Sequence, residues 1–320
     1  MTDQAHPSEL SAVTGDAASP LVSVVVPTYQ RGNKIAAVLQ SVLAQTYPNF
    51  EVVVVDDAST DDTESTVASM GDERIRFLRH DVNKGGNAAR MTGVGVATGE
   101  YVAFLDSDDY WAPTKLERQV RLLQEKGPEY TFCTTWFESE TPTGEKLQLV
   151  APVLDGKQIN DLSIANVLGG CSVVLINRQA LLEVGGLDTT LPSCQDWDLF
   201  VRLNETGGVC VVPENLVRYV QDDADPVRIT GKRESVTAGH RHMYEMMRAR
   251  MGRFTPEEKV RGHQQFIEFF AADGSLPDLV RVLADSPLRL WTQPKAYLHA
   301  IHMGARLARR QLSGFSRTKA

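Results

Sequence analysis

Apolar residues in the first 126 positions fall into short, nearly continuous runs separated by stretches with helical spacing. Leu21–Pro27, Phe50–Asp56, Arg74–Leu78 and Tyr101–Asp106 are the runs, rich in β-branched and aromatic residues. Such runs predict strands buried on both faces of a parallel sheet. Between them, Gly32–Gln45 places Ile35, Val38, Leu39, Val42 and Leu43 on one helical face. Ser59 to Asp62 offer N-caps for a helix through Met70, Asn87–Ala97 reads as a third helix, and Pro113 opens a fourth that runs to Lys126. This alternation predicts an α/β fold: a mostly parallel twisted sheet flanked by helices.

The character changes after residue 126. Tyr130–Phe137 is an apolar and aromatic strand, Glu138–Lys146 a polar loop, and Cys171–Ile176 a strand following Gly169-Gly170. A short helix at Arg178–Val184 stops at Gly185-Gly186, where left-handed backbone is needed. Asp196–Glu205 is an amphipathic helix and Val209–Val212 a further strand. From Ser235 the pattern is helical, at 236–251, 256–272, 276–284 and 294–312. The expected organisation is a disordered leader at 1–20, an α/β domain at 21–220 and a helical extension at 221–320. Within the α/β domain, 21–126 is the nucleotide-binding half and 127–220 a second half of different character.

Composition narrows the class. The chain has 320 residues, 42% hydrophobic and 23% charged, which is ordinary for a soluble globular protein. A net charge of −8 argues against nucleic acid as a partner. From Pro287 onward, however, there are seven Arg or Lys and no Asp or Glu, and the 294–312 helix has basic and apolar sides. Such a helix would lie on an anionic membrane surface or pack on the α/β domain with a solvated basic rim. Four cysteines without C-x-x-C spacing point to a reducing, cytoplasmic compartment. No run of 18 apolar residues predicts a membrane span, and residues 1–20 lack the charge and apolar core of a signal peptide.

The chemistry concentrates at strand ends. One run stops at Asp56-Asp57 and another at Asp106-Ser107-Asp108, with Asp109 next. Carboxylates there face the crevice where open α/β sheets bind ligands. Two acidic strand ends would repel a phosphate ligand unless a divalent cation bridges them, so a metal-nucleotide site is expected. Lys84-Gly85-Gly86 before a helix, with Arg90 one turn in, offers amides and cations toward phosphate, and Arg31 is a further candidate.

Five motifs then occur in order: Val24-Val25-Val26-Pro27-Thr28-Tyr29; Val54-Val55-Asp56-Asp57-Ala58-Ser59-Thr60-Asp61; Gly99-Glu100-Tyr101 with Leu105 to Asp109; Gly185-Gly186-Leu187-Asp188; and Gln195-Asp196-Trp197-Asp198-Leu199. Over roughly residues 21–220 the chain resembles a family-2 glycosyltransferase of the GT-A fold. That resemblance implies transfer of a sugar, with inversion, from a nucleoside diphosphate to an acceptor hydroxyl, typically on a glycan or lipid-linked glycan. It implies Mn²⁺ or Mg²⁺ held by Asp108, with Asp106 reaching the ribose or the ion through water. Asp57 would accept the imide proton of uracil or thymine, and Pro27 and Tyr29 would hold base and ribose. Asp188 would touch the donor sugar and Asp196 would be the general base, with Asp198 about 200° away round the helix.

Each motif also has a plainer reading. The acidic triplet would serve as a solvated turn, Asp56-Asp57 and Asp196 as helix caps, Trp197 as core and Gly185-Gly186 as a helix stop. Two features depart from the family pattern. No histidine follows Tyr219 until His240, and His240 and His242 point apart on one helix. Gln-x-x-Arg-Trp is absent, which favours transfer of a single sugar. A sugar-nucleotide pyrophosphorylase is the rival enzyme class, though it needs a Gly-rich first turn where this chain has Pro27 to Arg31. A catalytically inactive nucleotide-sugar-binding relative is the other rival.

Overall fold

The computed structural model describes residues 19–222, 224 and 233–286. The expected helix at 294–312 and nearly all of the expected leader lie outside them. In chain order the elements begin with β1 (Val22–Thr28), α1 (Ile35–Leu43), β2 (Phe50–Asp56), α2 (Thr63–Ser69), β3 (Ile75–Arg79), α3 (Gly86–Val96) and β4 (Tyr101–Phe104). Then come β5 (Tyr110–Trp111), α4 (Lys115–Lys126), β6 (Tyr130–Glu140), β7 (Lys146–Val150), α5 (Ile159–Ile164), β8 (Leu175–Asn177) and α6 (Arg178–Glu183). The series ends with α7 (Gln195–Thr206), β9 (Gly208–Val220), α8 (Arg233–Arg250), α9 (Pro256–Asp273) and α10 (Leu276–Asp285).

The first half is the parallel sheet expected, in the order β3-β2-β1-β4. Every residue of β1 is buried, as are Val52 to Val55 of β2, so both faces are covered by helices. Helix α3 lies on β1 at a distance set by Gly93, where a Cβ would stand 2.4 Å from Val25 Cγ1. Successive strands run outward from β1 to β2 and β3 on one side, while β4 joins on the other. That reversal opens a crevice beyond the carboxyl ends of β1 and β4.

Beyond β4 the sheet becomes mixed. β8 pairs antiparallel with β4 and β6, β9 runs parallel to β6, and β5 pairs antiparallel with β9. The polar stretch 138–146 is a loop only at its centre, 141–145, with β6 running on to Glu140 and β7 starting at Lys146. Its charges survive in a sheet because they are paired, Glu138 with Lys146 and Glu140 with Arg218. β9 likewise continues to Val220, well past Val212, because it follows β6 along that length through several register shifts. Cys171–Val173 is a 3-10 turn instead of the start of a strand, leaving β8 only three residues.

The C-terminal helices pack directly on α7. Trp197 of α7 stacks on Phe266 of α9 at 5.9 Å and meets Phe269 edge-on at 5.8 Å. Tyr244 of α8 closes on Phe266 and Phe270. Helix α9 starts with a Thr255/Glu258 capping box and Pro256 in its first turn.

Candidate active site

The acidic triplet lies in the loop that leaves β4, at the mouth of the crevice. Arg90 of α3 forms a close ion pair with Asp106, and Arg31, just past β1, holds Asp108 at 3.7 Å. Both carboxylates remain about a quarter exposed. Asp109 turns the other way: it is buried, takes a hydrogen bond from Ser172 Oγ at 2.6 Å and one from the Val220 amide at 3.2 Å. Burial, followed by the charges of Asp108 and Asp106, pushes its carboxyl well above the usual range. It anchors the triplet to the end of β9. From there the chain runs on to Asp222, which pairs with Lys34 at 3.3 Å.

Asp196 sits in the first turn of α7. Its Oδ1 accepts from the Trp197 amide at 2.8 Å, and Asn166 Nδ2 approaches Oδ2 at 3.5 Å. The capping position of this helix belongs to Cys194, in left-handed backbone, so Asp196 is not the N-cap. Protein surrounds the carboxylate, although some of its surface still meets solvent, as expected for a group lining a cleft. Burial pushes its carboxyl up to about 6, against the Trp197 amide and the positive charge of Arg90, while Asp106 adds to the rise. Arg90 in turn is held charged: burial opposes the charge, but Asp106, Cys171 and Asp196 outweigh it. Asp106, Arg90 and Asp196 therefore occupy one electrostatic neighbourhood.

Asp198 faces away from that cleft, as the helical offset predicts. It is buried and accepts from Arg202 and from His242 Nε2 of α8 at 2.8 Å. His240 pairs instead with Asp273 at 2.7 Å and stacks on Phe269. The two histidines thus have separate partners.

The other expected residues ring the crevice. Pro27 is buried near the end of β1 opposite Val55, and Tyr29 is half-buried just beyond the strand. Asp57 does not cap a helix, since α2 is capped at Asp62. Its Oδ1 accepts from His80 Nδ1 at 2.7 Å and the Lys84 amide at 2.8 Å, and its Oδ2 accepts from the Gly85 amide at 2.7 Å. The Lys84 and Gly85 amides therefore turn inward to a carboxylate rather than outward to phosphate, while the Lys84 side chain is exposed. Asp56 is fully buried and holds its own turn through Ser59. Asp188 accepts from the amide and hydroxyl of Thr190, which lower its carboxyl. Its loop rests on α3, because Gly186 has no Cβ to strike Met91 and Asn87 bonds the Asp188 carbonyl.

Sequence reasoning missed His80 and Asn166, and it named Arg31 and Arg90 without their pairing to Asp108 and Asp106. Nothing in the local pattern marks them, since each meets its partner only through the fold. Among the described residues, no three His, Cys, Asp or Glu side chains converge as a ready-made metal site. Asp106 and Asp108 nonetheless suit Mg²⁺ or Mn²⁺: they are hard, partly exposed oxygen donors, and such ions commonly complete their shell with phosphate and water.

Comparison with known proteins agrees with this layout. Residues 23–185 match the model for Glycosyl transferase family 2, and the chain belongs to that family. It is 30% identical over 164 residues to the Escherichia coli UDP-Glc:alpha-D-GlcNAc-diphosphoundecaprenol beta-1,3-glucosyltransferase WfaP, covering 51% of this chain and 63% of that one. It is 35% identical over 162 residues to the putative teichuronic acid biosynthesis glycosyltransferase TuaG of Bacillus subtilis, covering 50% and 63%. The chain thus spans less than two thirds of the length of these relatives. A crystal structure of S. aureus TarS 1-349 in complex with UDP-GlcNAc superposes with a TM-score of 0.62 at 18% identity, over 92% of both chains. The fold is GT-A, with a helical C-terminal region.

Proposed function

We propose that the protein is a metal-dependent, inverting glycosyltransferase. It moves one sugar from a UDP- or dTDP-sugar to a hydroxyl on a glycan or lipid-linked glycan. The observation that carries this reading is the neighbourhood in which Arg90 lies between the charges of Asp106 and Asp196. A diphosphate leaving group and a hydroxyl nucleophile need opposite electrostatics on opposite faces of the sugar; in this reading Arg90 would serve the first and Asp196 the second.

Asp57 receives the base edge beside Pro27 and Tyr29. Arg31 and Arg90, now engaged with Asp108 and Asp106, lie where a diphosphate would sit and balance its charge. Asp106 and Asp108 would hold Mg²⁺ or Mn²⁺, which supplies Lewis-acid stabilisation of the departing diphosphate. Asp196, ionised above about pH 6, takes the proton of the acceptor hydroxyl as its oxygen attacks the anomeric carbon. A single displacement from the side away from the diphosphate inverts the configuration.

The activity for which WfaP is named, with a UDP-glucose donor and a diphosphoundecaprenol-linked acceptor, supports the uridine and lipid-linked assignments. So does the UDP-GlcNAc bound to TarS. No described helix is long and apolar enough to cross a membrane; an enzyme with a lipid-linked acceptor would work peripherally at the inner face of the cell membrane. The test is thermal stabilisation by UDP-, dTDP- and GDP-sugars with and without Mn²⁺. Stabilisation by uridine or thymidine diphosphates that grows with Mn²⁺ is expected, and no response to any nucleotide would remove the reading. Measured turnover would exclude an inactive relative.

A further inference from the structure

Asp57 is held by three protein donors, and all of them are N–H groups. Two are backbone amides, of Lys84 and Gly85. The third is the side chain of His80, one residue past β3, itself only 6% exposed. The geometry settles its protonation on one side. An ionised carboxylate only accepts, so Nδ1 carries a hydrogen and donates to Oδ1 at 2.7 Å. Nε2 lies 2.9 Å from Thr92 Oγ1, two residues along α3 from Arg90. His80 therefore ties the end of β2 to the helix that carries Arg90.

A carboxylate oxygen has about two acceptor positions. Oδ1 uses both, on His80 and Lys84, while Oδ2 uses one, on Gly85. One acceptor position on Oδ2 is left, on a residue whose amide bonds the Thr28 carbonyl between Pro27 and Tyr29. With three N–H groups already directed at it, the Asp57 carboxylate is set to accept a fourth N–H, not to face a lone pair. Uracil and thymine present an imide N–H there; cytosine presents a bare ring nitrogen, which the carboxylate repels.

We infer that His80 is a specificity-determining positioning residue: through Nδ1 it holds Asp57 as a fixed, acceptor-only carboxylate, and so selects nucleotides with an imide edge over cytidine nucleotides. This rests on the proposed role of Asp57 in base recognition.

The experiment is UDP and CDP binding by calorimetry on the full chain, with Mn²⁺, for wild type, His80→Gln, His80→Asn and Asp57→Asn. Asn places its amide N–H where Nδ1 was and keeps the bond to Asp57, whereas Gln reaches toward Thr92 and loses it. His80→Gln is expected to weaken UDP binding about tenfold, as for loss of one charge-assisted hydrogen bond. CDP binding should stay near its weak wild-type level, and His80→Asn should stay within about threefold of wild type for UDP. With the donor sugar varied, the loss in His80→Gln should fall on KM more than on kcat. If Asp57→Asn leaves UDP binding intact, the role of Asp57 in base recognition fails. If Asp57→Asn weakens UDP but His80→Gln does not, the inference about His80 fails alone. Equal losses in His80→Gln and His80→Asn, or equal drops in their melting temperatures, would make the residue merely structural and overturn it.

Discussion

Replacing Asp196 with Asn separates its chemical role from its cost to the fold. Its carboxyl stands at about 6 in the folded protein against 3.8 in the unfolded chain, and burial is the largest cause. The native state thus binds this proton more tightly than the unfolded state does. The associated stability is present below about pH 4, is lost as pH rises through about 6, and stays lost above that. Roughly two pH units correspond to ~3 kcal/mol. Water reaching the partly exposed carboxylate screens this to roughly 1–2 kcal/mol. Asp196→Asn removes the cost at pH 7.5 but not at pH 4. For a chain of this length unfolding in one step, 1 kcal/mol is worth about 1.5 °C, so the variant should melt about 1.5–3 °C higher at pH 7.5 and unchanged at pH 4. Its turnover, measured by release of the nucleoside diphosphate at saturating donor, should fall by about 10²–10⁴. Wild-type kcat should drop about tenfold per pH unit below about pH 6. A variant that turns over within threefold of wild type, or a wild-type profile flat down to pH 5, would refute the assignment.

Four further outcomes follow from other contacts. Chelation should abolish turnover, Mn²⁺ or Mg²⁺ should restore it, and Asp108→Ala should remove the Mn²⁺-dependent part of the thermal shift with UDP-sugar. Gly93→Ala places a methyl 2.4 Å from Val25 Cγ1 and should cost about 1–3 kcal/mol in urea unfolding. Lys115 is buried under Trp111, bonds Gln119, and is pushed by burial down to about 7 from 10.5. The native state binds this proton less tightly, so wild-type stability should climb between about pH 7 and pH 10, and Lys115→Met should flatten the climb. Gly239→Ala, whose Cβ would stand 2.8 Å from the Ser193 carbonyl beside the start of α7, should lower kcat while leaving UDP binding near wild type.

What could be read in advance followed from local physics. Val52 to Val55 announce a two-sided strand because a parallel strand buried on both faces needs no polar alternation, and the acids that end such runs fall at the crevice for the same reason. What escaped depends on distant partners. Glu138 and Glu140 read as loop until Lys146 and Arg218 neutralise them across the sheet. Helix α5 has six residues, too few for a periodic signal. Ser172 looks like part of a strand, yet its hydroxyl receives a hydrogen bond from the Asp106 amide and donates to Asp109, which requires a turn. The inward aim of the Lys84 and Gly85 amides depends on Asp57, 27 and 28 residues earlier in the chain.

The family match closes at residue 185, ten positions short of α7. That helix has its buried flank sealed by aromatic rings from α9 and a histidine from α8. A protein trimmed to the matched segment would lack Asp196 altogether. One trimmed after β9 would keep it on a helix whose indole and second aspartate had been stripped of their cover. If Asp196 has the role proposed for it, the smallest working piece of this chain reaches through α9, and shortened versions should be cut on that basis, not at the edge of the recognised motif block.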